Sequence, residues 1–313
     1  MRKIAILFVS TLLLPSCLKE DRANCPEQIR VYFTFATPDS NPADVSQIDL
    51  YVFSDKGYYL GEYRDDHIID FNPSYYIDCS DLLPGKYRFI AFGGKEIDRY
   101  ATSPSLFIKG ETSFEEALWM LKHGGDVIST KLSHIFHGDL LATVTYAKTH
   151  HFYVPLAQIS NTINIRTEGL TPDLDSYRFD ISDNNCCYAF DCSFALHPSH
   201  SANQHFTYTT SCVKSETYQL NATLNVLRLA AHRHTPQLQL YNETAGKVLY
   251  PVGTQSSNLI ELILNAYPQN DFDATHTYDI LFTFEGDAST GLSVTVTING
   301  WQVHDQKNEL TDE

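Results

Sequence analysis

The chain has 313 residues, with 22 Lys and Arg against 38 Asp and Glu, a formal net charge of -16 and 43% hydrophobic residues. That charge excludes phosphate-backbone binding, because no basic excess exists to release counterions from nucleic acid. The apolar content excludes a disordered chain, and no apolar run past the first residues is long enough to span a bilayer as a helix.

In chain order, Met1-Arg2-Lys3 and the apolar run over residues 4–14 read as a secretory leader covering 1–16. It ends in Leu14-Pro15-Ser16-Cys17, which resembles the lipobox of bacterial lipoproteins. That resemblance implies cleavage before Cys17 and acylation of its sulfur, so several acyl chains tie the protein to a membrane. Residues 17–27 then form a lipidated linker. Within it Lys19, Glu20 and Asp21 are similar to the signal that sends lipoproteins to the outer face of the outer membrane.

Beyond the linker, two-residue alternation dominates. Ile29, Val31, Phe33 and Phe35 interleave with Arg30, Tyr32 and Thr34, and Ile48, Leu50 and Val52 with Asp49, Tyr51 and Phe53, and each run reads as a strand. Ser54-Asp55-Lys56-Gly57 signals a hairpin into a strand over 58–63, and Pro84-Gly85 opens another over 86–92. The segment 113–123 predicts one short helix, with Ser113 as N-cap, Glu115 and Glu116 in its first turn and Gly124-Gly125 as its stop. Alternation restarts near His150, which sets a boundary between an N-terminal sandwich over 28–147 and a C-terminal one over 148–303. Strands are predicted there at 177–181, 188–196, 218–229, 237–241, 259–264 and 278–284, and most clearly at 292–298. Many short strands with turn signals and almost no helix make the chain all-β, two β-sandwiches in tandem followed by a polar tail over 304–313.

Apart from Cys17, the cysteines are Cys25, Cys79, Cys186, Cys187, Cys192 and Cys212, an even number in an exported chain, so all six are candidates for disulfides. Only Cys25 with Cys79 is available within the first sandwich. In the second, adjacent Cys186 and Cys187 cannot easily bond each other and would each seek Cys192 or Cys212. No hydrolase, metalloprotease, dinucleotide or P-loop motif occurs, so neither enzyme chemistry nor a cofactor is expected.

The order of Cys17-Leu18-Lys19-Glu20-Asp21, Cys25-Pro26, the hairpin from Ile48 to Tyr58, Leu83-Pro84-Gly85-Lys86-Tyr87, His134 to Leu140, Val154-Pro155-Leu156 and Val296 to Trp301 resembles the FimB-type fimbrial anchor family. The resemblance implies two transthyretin-like sandwiches in a minor subunit of type V pili, an outer-membrane lipoprotein whose partners are pilin shaft subunits. A sandwich with an incomplete sheet receives an extended segment of another subunit by main-chain pairing. The segment after Trp301 has only Val303 and Leu310 as aliphatics, which suits it poorly as a donor strand, so the chain is expected to end or begin the fibre. The rival expectation is a surface glycan-binding lipoprotein, built on the many tyrosines with Trp119 and Trp301.

Overall fold

A computed structural model describes residues 28–37, 40–122, 126–170, 176–195, 205–214, 219–286 and 293–303. The leader, Cys17, the Lys19-Glu20-Asp21 signal, Cys25 and the tail over 304–313 lie outside the described residues.

The first half is a curled seven-stranded sheet. Its strands are β1 (Gln28–Phe35), β2 (Gln47–Ser54), β3 (Tyr59–Asp65), β4 (Tyr76–Asp78), β5 (Gly85–Gly94), β9 (Ile135–Val144) and β10 (Thr149–Gln158), in the order β3-β2-β5-β9-β10-β1-β4. The β9 and β10 pairing is limited to residues 136–138 against 156–158, so the sheet folds over there. Gly138 makes the corner possible, since a Cβ on it would meet Val154 Cγ1 at 2.4 Å and the Pro155 carbonyl oxygen at 2.9 Å. Alternation then sorts the side chains. Leu50, Val52, Phe89 and Ala91 from one layer meet Ile29, Val31, Val154 and Leu156 from the other, while Tyr51, Phe53, Ile90 and Phe92 point out of this sandwich.

The second half is two sheets face to face. One contains β15 (Val213–Lys214), β16 (Leu220–Leu227), β11 (Ser160–Glu168), β19 (Thr277–Glu285), β20 (Ser293–Ile298) and β21 (Trp301–Gln302), in that order. The other runs β18 (Lys247–Tyr250), β17 (Gln237–Asn242), β12 (Tyr177–Asp183), β14 (Phe206–Ser211) and β8 (Val127–Ile128). Phe179 stacks on Phe282 with ring centroids 5.6 Å apart, and Tyr250 meets Phe282 at 4.8 Å, which ties the two layers through one aromatic column.

Three expectations change. First, the strand restarting at His150 belongs to the first sheet, because β10 pairs with β1 and β9, and the chain passes between halves at Ile159 rather than near residue 147. Second, residues 113–123 are not a helix. The capping pair forms, with Glu116 Oε1 accepting from the Ser113 N–H at 2.9 Å and Ser113 Oγ accepting from the Glu116 N–H at 3.3 Å, but it closes a single turn. From there Ala117, Trp119 and Leu121 are buried in alternation, and Leu118–Leu121 is strand β7, lying between β6 (Tyr100–Ser103) and β13 (Cys187–Ala189). Third, the predicted strand over 259–264 is the helix α1 (Leu259–Ala266). Asn258 caps it by accepting from the Glu261 N–H at 3.0 Å, and Leu259, Ile260, Leu262, Ile263 and Ala266 are buried on it.

The halves are interlocked. Strand β13 of the second half pairs with β7 of the first, and β8 of the first pairs with β14 of the second. Phe190, just past β13, is fully buried against Tyr51, Phe53, Phe92 and Phe107, with ring centroids 5.0 to 5.7 Å apart. His137 adds a polar link by donating from Nε2 to the Phe190 carbonyl at 2.9 Å, and its burial lowers its pKa, so it stays neutral and rigidly oriented. One continuous apolar core consequently runs from Tyr51 and Trp119 to Phe282 and Ile298.

Candidate functional site

β1 and β10 are parallel, with Gln28 opposite Thr149 and Phe35 opposite Leu156. The chain enters at the Gln28 end, and β10 runs away from that end into β11 of the second half. Eight residues of strand separate the two ends by roughly 25 Å. Measured from Gln28, where the described chain begins, the first half is the near half and the second half is the far one.

Among the described residues, the edges at β3 and β20 each adjoin a hollow with aliphatic side chains in its lining. The near one is β3, which lines a hollow of about 350 Å³ with Leu60, Tyr63, Leu82, Leu83 and Tyr87. It is guarded. The Gly110 N–H donates to the Tyr59 carbonyl, the Tyr59 N–H to Thr112 and the Phe114 N–H to Gly57, so a loop covers the start of this edge. Farther along stand Glu62, Arg64 and Asp65, and the Tyr63 hydroxyl donates to Asp81 Oδ1 at 2.5 Å across the hollow. Charged side chains on an edge strand oppose pairing with another chain.

Beside this edge lies Asp49, buried on β2. Arg64 Nε stands 3.3 Å from its Oδ1, yet that oxygen makes no hydrogen bond. Burial lifts the carboxyl to about 6 in spite of Arg64, which pulls the other way.

The far edge is β20. Strand β21 pairs with Thr297 and Ile298, and among the described residues the outer side of Ser293 to Val296 has no full strand. Two carbonyls there are capped by single donors: Val303 N–H reaches the Val296 oxygen at 2.9 Å and Gln255 Nε2 reaches that of Val294 at 2.7 Å. Between β20 and α1 opens a groove of about 120 Å³, lined by Tyr250, Leu262, Asn265, Val294, Val296 and Val303. An incoming strand that replaced those two donors would pair with Val294 and Val296 and point alternate side chains into this groove.

A larger hollow of about 430 Å³ on the outer face of the same sheet has Arg166, Asp279, Asn164 and Thr223 in its lining beside Ile280 and Leu281. Its side chains satisfy one another: Thr223 Oγ1 donates to Asn164 Oδ1 at 3.0 Å and Asn164 Nδ2 to Asp279 Oδ1 at 2.9 Å.

Aromatic side chains divide between core and surface. Trp119 is sealed between Tyr100 at 3.9 Å and Phe92 at 4.4 Å, whereas Trp301 is 62% exposed on β21. Tyr76, Tyr32 and Tyr153 form a row across β4, β1 and β10, with Arg30 over the Tyr76 ring at 4.6 Å. Tyr32 and Tyr153 lie face to face at 5.1 Å and cover each other, so a sugar would find edges and one outer face rather than an open platform.

Cys79, Cys186, Cys187, Cys192 and Cys212 are all free thiols, and Cys25 lies outside the described residues. The pairings expected among Cys186, Cys187, Cys192 and Cys212 are therefore not formed. Burial raises the thiols of Cys79, Cys187, Cys192 and Cys212 to about 12 and raises that of Cys186, which keeps them protonated. Cys79 nevertheless packs at the beginning of β1, where its N–H donates to the Ile29 carbonyl at 2.8 Å.

Over residues 22–307 the chain matches the family of fimbrillin-A associated anchor proteins Mfa1 and Mfa2. It belongs to that family. Among solved structures it is similar to the fimbrial anchor protein Mfa2 from Porphyromonas gingivalis, with 18% identity, a TM-score of 0.70 and coverage of 90% of this chain and 99% of that one. It is also similar to a candidate polysaccharide-binding protein from Bacteroides thetaiotaomicron, at 20% identity and TM-score 0.68, covering 90% of this chain and 99% of that one. A candidate adhesin from Bacteroides ovatus matches at 17% identity and TM-score 0.66, covering 93% and 98%. At these identities the likeness is one of fold, and it bears out the all-β sandwich architecture. No curated protein matches the chain in sequence. Among the described residues no helix is long and apolar enough to cross a membrane.

Proposed function

We propose that this fimbrial anchor holds its fibre at the outer membrane through acyl chains on Cys17 and receives an extended segment of a shaft subunit along β20. The observation that carries this reading is the half-covered outer edge of β20, set over an uncharged groove that holds Leu262, Val294 and Val296, in the half of the molecule away from the chain entry. Main-chain pairing supplies affinity there, and the groove selects one aliphatic side chain of the incoming strand. Lys19, Glu20 and Asp21 direct the acylated protein to the cell surface. Membrane retention by acyl chains needs no protein surface, which leaves the second half free for assembly.

Replacing Cys17 with Ala tests the tether. The expected outcome is fibres shed into the medium together with the variant, measured by immunoblot of washed cells and supernatant. Fibres that stay on the cells with the variant overturn it.

A further inference from the structure

The registers gather three turns at the end where the chain enters. Gln28 pairs with Thr149, which brings the turn before β10 to this end. Gly85 pairs with Val144, which brings the loop before β5 there, and Ser54 pairs with Tyr87, which adds the turn between β2 and β3. Each turn exposes one large apolar side chain: Tyr58 at 42%, Leu83 at 67% and Tyr146 at 62%. Each also carries or adjoins an exposed lysine, Lys56, Lys86 or Lys148. Asp55, Asp81, Glu115 and Glu116 stand among them, so three lysines bring this end close to neutral on a chain of net charge -16.

We propose that these three tips rest in the headgroup layer of the bilayer that holds Cys17, so that the anchor stands upright with β20 turned away from the membrane. The proposal rests on acylation of Cys17 and adds a second point of contact to it. Tyrosine and lysine suit this layer, because each has an apolar body that enters the boundary and a polar end that stays wet. An acidic surface would be repelled by anionic headgroups, and this end is where that repulsion is relieved. The linker between Cys17 and Gln28 reaches roughly 35 Å at full extension, ample for the tips to touch down. A tether alone permits any tilt, whereas three spaced contacts permit one.

The acylated full chain is reconstituted into vesicles of phosphatidylethanolamine and phosphatidylglycerol containing a brominated lipid. Trp fluorescence is compared between a Tyr146→Trp variant and a Tyr267→Trp control, the latter replacing a side chain 47% exposed in the far half. The added emission of Tyr146→Trp is expected to be quenched at least about threefold more than that of the control, as for a side chain at the acyl boundary. Equal quenching overturns the tip contact. Intact mass reports acylation separately: an unmodified Cys17 sinks the anchor reading and this proposal with it, whereas an acylated protein with an unquenched tip sinks the tip contact alone.

Discussion

Strand β3 ends its sheet and β20 is bordered in part by β21, and the two would meet an incoming chain in opposite ways. β3 borders the larger hollow but carries Glu62, Arg64 and Asp65 and has its start covered by the loop ending at Phe114. β20 borders a smaller, uncharged groove, and among the described residues its outer carbonyls meet one glutamine amide and one backbone N–H. In the proposed docking mode the size of a cavity does not mark the acceptor edge. What would mark it is how easily the backbone groups along it can be released, and how few charges must be desolvated.

The strongest way to break this comparison is to fill one groove and leave the other. Asn265→Trp, at the rim of the β20 groove, is expected to lower co-isolation of shaft subunits at least tenfold, about 1.4 kcal/mol or more of docking energy. Glu62→Gln on β3 is expected to leave it unchanged. Affinity capture from cells expressing each variant measures both, and the reverse result would move the acceptor edge to the near half.

A second break lies at the joint between halves. Phe190→Ala removes a ring packed against four others and is expected to cost about 3 to 5 kcal/mol. Because the apolar core is continuous across the joint, denaturant unfolding followed by tryptophan fluorescence and by circular dichroism should give one shared transition for the parent chain. Two separate transitions in the parent would show the halves to be independent.

The smallest effect sharpens the account of β3. Burial raises the folded-state pKa of Asp49 to about 6, above its value in the unfolded chain. The folded state then binds the extra proton between about 4 and 6, so stability falls as pH rises through that window and the full penalty is present at pH 7. Asp49→Asn is expected to stabilise the protein at pH 7 by about 1 to 2 kcal/mol and to flatten this slope, as read by thermal unfolding at pH 4.5 and 7. An unchanged slope would mean that Arg64 fully compensates the buried carboxylate.

Most strands were legible because alternation survives wherever one face is buried and the other wet, as in β1, β19 and β20. The two elements exchanged between helix and strand had capping chemistry that pointed both ways. Ser113 and Glu116 form their reciprocal bonds, but strand partners on both sides of β7 win over the helix. At α1 the signal was present in Asn258 and Glu261 followed by buried positions at helical spacing, hidden by a run of Leu and Ile that also suits a strand. The joint was not legible at all. Nothing local in residues 187–190 announces that they pair with a strand some 70 positions earlier. Open edges are equally silent in sequence, because an unpaired strand has the same alternation as a paired one.

The parallel alignment of β1 and β10 has a mechanical consequence. A pull on the far half, resisted at the amino end, enters one strand at Gln28 and leaves the other at Gln158, so their eight paired positions are loaded in shear and give way together rather than one by one. A fibre tugged by flow would thus strain the sheet in its toughest direction, whereas the same two strands arranged antiparallel would peel like a zip.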